Sequence, residues 1–145
     1  MTQIPIKRLH PKATWPMYMS EGAAAMDVCA CIDEPIVLPP GGRALIPTGL
    51  AIAAPQGAVA LLFARSGLAM KHGVCLANSV GVIDSDYRGE IGVALINLGA
   101  DAFCVTHGMR IAQLAFFSVL QAELRACDDL DETARSGGGF GSTGV

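Results

Sequence analysis

Hydrophobic positions in this chain fall in short runs of four to ten residues, separated by glycine, proline and small polar clusters. That punctuation predicts an all-β chain. Strands are expected at residues 4–9, 26–32, 44–53, 58–64, 74–77, 91–97, 102–105 and 111–119. Most are rich in Val, Ile and Leu, and several run apolar without alternation. This is the pattern of strands covered on both faces, within the domain and against neighbouring subunits. One helix is expected, with Ser66 as its N-cap, residues 67–72 as its body and Gly73 closing it. The last eleven residues, RSGGGFGSTGV, are too rich in glycine to pack a core and read as a mobile arm. No internal repeat is present.

Length and composition sharpen this picture. A chain of 145 residues is one domain by size, large enough to bury roughly 68–70% of its unfolded surface without disulfides or a structural metal. Hydrophobic residues make up 52% and charged ones only 16%, against about 25% charged in an average soluble domain. Disorder is excluded. Folded alone, such a chain presents roughly 7,000 Å² of surface. So few charges leave broad apolar stretches on it, which points to a homo-oligomer.

The net charge of −3 excludes a strongly basic nucleic-acid binder. Four of the acids, Asp128, Asp129, Asp131 and Glu132, form one run near the C-terminus. No apolar run reaches the ~18 residues of a membrane span, and the N-terminal segment with Pro5, Pro11 and Pro16 lacks a signal peptide's apolar core. Five cysteines without paired CxxC motifs read as small core hydrophobes in a reducing cytoplasm rather than as disulfides or a zinc site.

Four segments carry candidate chemistry. In ARSGLAMKHG (residues 64–73) a strand gives way to a short helix at Arg65 and Ser66. Exposed helix amides and a planar guanidinium there suit phosphate oxygens; an ordinary cap with a solvated arginine is the alternative. In NSVGVIDSDYRGEIGVALIN (residues 78–97) two apolar strands flank a polar turn. Asp84 directly follows Val82 and Ile83, which places it at the edge of the core, where desolvation raises a carboxylate's basicity toward water. Asp86, Arg88 and Glu90 read as solvated turn charges. In GMRIAQLAF (residues 108–116) Gln113 interrupts an apolar strand and needs a partner from backbone, water or ligand. In the arm, Phe140 stands alone among glycines. It fits stacking on a flat group such as a nucleobase, or a subunit-docking hook.

Together these features describe a phosphate cradle, a base-stacking lid and one carboxylate. With AAAMDVCA around Asp27 they form five motifs that resemble, in order, those of the homotrimeric deoxyuridine triphosphatase (dUTPase) family over residues 23–144. Ala64 stands where that family usually has proline, Ala25 and Ser136 where it usually has glycine, and Met109 where it usually has an acidic residue.

The resemblance implies a jelly-roll-like β-barrel in a trimer, with active sites at subunit interfaces. It implies hydrolysis of dUTP to dUMP and pyrophosphate, which limits uracil in DNA and supplies dUMP for thymidylate synthesis. Magnesium would be held mainly by the triphosphate and water, with no direct protein ligand. Asp84 would activate the attacking water, and Tyr87 would pack on the deoxyribose and exclude a 2′-hydroxyl. Asn78, Val82 and the backbone near them would read the uracil. Arg65, Ser66, Gly67 and Gln113 would hold phosphates, with Asp27 orienting them. Arg135, Gly141, Ser142 and Thr143 would close over the terminal phosphates while Phe140 stacks on the base. Residues 1–134 would form the domain and 135–145 its closing arm, in a cytoplasmic enzyme with no nucleic-acid or membrane partner. A dCTP deaminase-like enzyme and a non-catalytic trimeric binding protein are the competing readings.

Overall fold

Turn chemistry decides where the strands stop. The structure, a computed structural model, describes residues 2–139; Phe140, Gly141, Ser142 and Thr143 lie outside them. In chain order its elements are β1 (Ile6–Arg8), β2 (Met26–Cys29), β3 (Ile36–Leu38), β4 (Arg43–Pro47), β5 (Leu50–Ile52), β6 (Ala58–Phe63), α1 (Ser66–His72), β7 (Val74–Leu76), β8 (Gly81–Ile83), β9 (Gly92–Asn97), β10 (Phe103–Val105) and β11 (Arg110–Ser118). The run expected as one strand over residues 44–53 is two, because Gly49 takes a φ of 68° between them. Its bare Cα is also required: a Cβ there would lie 2.8 Å from that of Ala13. β3 is too short, between Pro35 and Pro39, to stand out in the pattern.

All pairings are antiparallel, in four sheets ordered β1–β5, β3–β10, β2–β11–β6–β8 and β4–β9–β7. The architecture is thus mostly β with one short helix, but the sheets wrap a shared core without closing into one continuous barrel. Val28, Leu38, Ile46, Leu95, Val105 and Leu114 form the centre of that core, each at most 1% exposed. Asn97 is the polar peg within it. Its amide donates to the carbonyls of Leu38 and Asp101, both at 2.8 Å, and its oxygen accepts the Gly99 amide at 2.9 Å. No group of that side chain is left unpaired, so its burial carries no desolvation penalty.

β5 is buried throughout, but β6 and β9 alternate, and Leu45, Val37 and Val82 are exposed. Within one protomer, then, these strands are covered on one face only. The cysteines also depart from expectation: all are free, yet only Cys31 is buried, while Cys104 and Cys127 are exposed. Beyond Ser118 the described residues form no helix or strand and are almost all exposed. The accessible surface reaches 9919 Å², well above the roughly 7,000 Å² of an isolated globule of this size.

Candidate active site

The densest polar constellation is built on three adjacent strands. Asp27 of β2 lies directly opposite Gln113 of β11, and Gln113 lies opposite Phe63 of β6. Two residues past Phe63, the chain turns at Arg65. Asp27 is 5% exposed; it accepts from Gln113 Nε2 and Arg110 Nη1, both at 3.1 Å, and pairs ionically with Arg65 Nη2 at 3.2 Å. Arg65 also donates to the Arg110 carbonyl at 3.3 Å. The structure therefore brings together Asp27, Arg65 and Gln113, which the sequence singled out.

It adds Arg110, which the sequence reading missed. Residues 110 and 113 are three apart and in a regular strand would face opposite sides. The ladder of β11 against β2 shifts register between Arg110 and Ala112. That bulge absorbs one residue and turns Arg110 toward the face of Gln113. Around Asp27, two guanidiniums meet one carboxylate, which leaves a surplus positive charge. Arg65 Nε is buried without a partner among the described residues, so the cluster keeps an unspent donor.

The helix start also differs from expectation. Arg65, with φ −87° and ψ 125°, is the N-cap, Ser66 is the first helical residue, and no side chain caps the end. The extended path of β6 carries one residue further than the Ser66 signal implied. The Arg65 carbonyl takes the amides of Leu68 and Ala69, leaving those of Ser66 and Gly67 outside the helix ladder. At the other end Gly73 adopts φ 69° and returns its amide to Ala69, as the sequence predicts.

Asp84 lies elsewhere. β8 pairs with β6 through Ile83 opposite Ala60, so Asp84 leaves β8 beside Val59. Arg65 is six residues further along the same strand direction, about 20 Å away at the usual rise of ~3.3 Å per residue. Asp84 lines a cavity of about 1100 Å³ with Val59, Val82, Gln3 and Pro5. Contrary to the expectation of a desolvated position, its side chain is exposed among the described residues of the protomer, and the buried neighbour is Ile83.

The segment around Asp84 is not a hairpin. β7 pairs with β9 while β8 pairs with β6, so both connections, residues 77–80 and 84–91, cross between sheets. Asn78 is exposed on the first, where Ser79 adopts φ 63°. Val82 is 62% exposed. On the second, Tyr87 donates its hydroxyl to the Glu90 carbonyl at 3.0 Å, and Arg88 folds back onto the carbonyls of Ser85 and Tyr87. Glu90 is no free turn charge: its carboxylate accepts the Gly49 amide at 2.7 Å. Arg135 is exposed and donates to the Gly138 carbonyl at 2.7 Å.

Among the described residues no group of three or more His, Cys, Asp or Glu side chains is arranged to hold a metal. The donor set of two guanidiniums and a carboxamide, its one carboxylate fully engaged, fits phosphate oxygens.

Comparison with known proteins places the whole chain. The dUTPase family model matches residues 11–144. The deoxyuridine 5'-triphosphate nucleotidohydrolase of Syntrophotalea carbinolica is 52% identical over 97% of this chain and 96% of that protein. That of Roseobacter denitrificans is 55% identical over 89% and 86% respectively. Among solved structures, Staphylococcus bacteriophage 80alpha dUTPase with dUpNHpp superposes with a TM-score of 0.91 at 26% identity, over the whole of both chains. With the family model matched along more than nine-tenths of its length and the five motifs in order, this chain belongs to the dUTPase family.

Proposed function

We propose that the protein hydrolyses dUTP to dUMP and pyrophosphate. The observation that carries the reading is the Asp27 cluster, a preorganised cationic cradle lying in a dUTPase-family chain. Arg65, Arg110 and Gln113 meet phosphate oxygens with their free N–H groups, and Asp27 fixes their orientation. The amides of Ser66 and Gly67 add neutral donors. Water attacks the α-phosphorus, with its proton passing to Asp84. A new P–O bond forms, the bond from the α-phosphorus to the bridging oxygen breaks, and pyrophosphate leaves. Magnesium belongs to the triphosphate in this reading and, when bound, neutralises part of its charge. Asn78 and Val82 frame the uracil and Tyr87 the sugar. Residues 135–145 act as an arm whose Arg135, Phe140, Gly141, Ser142 and Thr143 close the site.

The register of β6 determines how such a site is assembled. In this reading Arg65 and Asp84 must both reach one triphosphate, yet in one protomer their backbones are separated by about 20 Å along the line of β6. We therefore infer that each site joins the cradle of one copy to the Asp84 region of another, in a homotrimer. The large accessible surface and the exposed Leu45, Val37 and Val82 are in keeping with that assembly. No described helix is long and apolar enough to cross a membrane, and the five free thiols suit a reducing cytoplasm.

Pyrophosphate release measured on dUTP, dCTP, dTTP and UTP tests the reading. Release confined to dUTP is expected. Ammonia release from dCTP, or binding without turnover, overturns it.

A further inference from the structure

Tyr87 is only half-covered by its own chain, yet its ring is not free to wander. Three features around it form a single arrangement. Its hydroxyl donates to the Glu90 carbonyl at 3.0 Å. Its ring edge lies across the backbone of Gly89, so closely that a Cβ at that position would fall 2.6 Å from Cζ and 3.0 Å from Cε2, and against the hydroxyl oxygen. Real Cβ atoms do not approach so near, and any side chain at residue 89 must push the ring away. Glu90 is itself anchored: its carboxylate takes the Gly49 amide at 2.7 Å. The next residue is clamped to the same turn, with Thr48 donating to the Ile91 carbonyl and the Ile91 amide donating to Leu50, both at 2.7 Å.

The tie runs from the ring, through Glu90, to the turn between β4 and β5, where Thr48, Gly49 and Leu50 are all buried. An exposed aromatic is thereby fixed to a rigid part of the core. A ring that must exclude one hydroxyl group needs such a mounting, because steric discrimination fails when the wall yields by an ångström.

We propose that Gly89 and Glu90 are positioning residues that seat the Tyr87 ring and thereby set the preference for a 2′-deoxy sugar. This rests on the reading of Tyr87 as the sugar-facing wall. Gly89 supplies the space and Glu90 supplies the latch. Gly89 does not adopt a left-handed φ, so Gly89→Ala moves the ring without straining the backbone.

The test is the ratio of kcat/KM for dUTP over UTP, measured on the full-length enzyme, with melting temperature as a check on folding. Gly89→Ala is expected to narrow the ratio by at least about tenfold, the lower end of what one misfitting group discriminates, with an unchanged melting temperature. Glu90→Ala should also narrow it. Glu90→Gln, whose amide oxygen still accepts from Gly49, should retain most of it. The decisive measurement is made in a Tyr87→Ala background: with no ring to seat, adding Gly89→Ala should leave the ratio where Tyr87→Ala put it. An additive effect there, or a wild-type ratio in Gly89→Ala while Tyr87→Ala narrows it, overturns the seat. A wild-type ratio in Tyr87→Ala alone overturns instead the sugar-wall reading on which the seat rests.

Discussion

Two inactive variants of this enzyme should restore each other. Arg65→Ala removes the cradle's central guanidinium, and Asp84→Asn removes the proposed base. As pure proteins each should be nearly inert, since loss of a general base alone costs about 10²–10⁴ in turnover. The proposed assembly decides what happens on mixing. If the separation of about 20 Å between the two residues along one protomer means that a site draws them from different copies, the two lesions can fall in different sites. A site is then intact when its cradle comes from the Asp84→Asn chain and its carboxylate from the Arg65→Ala chain. If equal amounts assemble at random in a closed ring, each condition holds for half the sites and both for about a quarter of them.

The assay is to co-refold or co-express the two variants in equal amounts and measure pyrophosphate release from dUTP. Activity near one quarter of wild type, from parents below about one hundredth, is the expected result. A site built within one subunit gives a different answer, because every site in the mixture would carry one of the two lesions and activity would stay at the parental level. That outcome would refute the register argument. Mixing the two assembled variants without unfolding should restore activity only as fast as subunits exchange.

Other consequences follow from the same geometry. Asp27→Asn removes the negative charge that pairs Arg65 and Arg110 and puts an NH2 donor in place of one of the two oxygens that hold the cluster. With Arg110 partly in solvent, the loss should be about 2–4 kcal/mol, read by calorimetry as a melting point lower by roughly 5–10 °C; a shift under about 1 °C would mean the cluster is not a structural unit. A chain ending at Ala134 should fold and assemble as before, because among the described residues the core uses none beyond it, yet lose turnover; light scattering and pyrophosphate release decide, and near-normal activity would make the arm passive. Burial pushes the thiols of Cys29 and Cys31 up from their ordinary value, so less thiolate is present at neutral pH. Cys104 and Cys127 should react first with a thiol reagent, and mass mapping that finds Cys31 modified first would contradict its placement.

Much of this was legible in the chain because β-strands announce themselves by apolar runs between breakers, and Gly73 closed its helix where the pattern said. What escaped were features set by register. The parity of residues 110 and 113 argues against their meeting, and only the bulge between them reverses it; nothing local marks that bulge. Glu90 reads as a solvated charge because its partner, the Gly49 amide, is remote in sequence. The segment around Asp84 reads as a polar turn between two strands because sequence gives strands but not which sheet each one joins. The neighbours Val82 and Ile83 put Asp84 at the core's edge in the sequence pattern, but only Ile83 points inward.

The charges explain why a carboxylate belongs in a phosphate site at all. Two guanidiniums sharing one small region repel each other, and without a counter-charge they would splay into water and lose the geometry that makes bidentate recognition selective. A second carboxylate would cancel the field that attracts the substrate. Asp27 alone does neither: it holds both arginines and Gln113 in place and leaves the surplus for the phosphates. The second carboxylate the chemistry needs, Asp84, stands at the far end of β6, where it cannot quench the cradle of its own subunit. In the proposed assembly it meets a cradle only across a subunit boundary, with the substrate's negative charge between them, so that assembly would both complete the catalytic set and keep the two carboxylates apart.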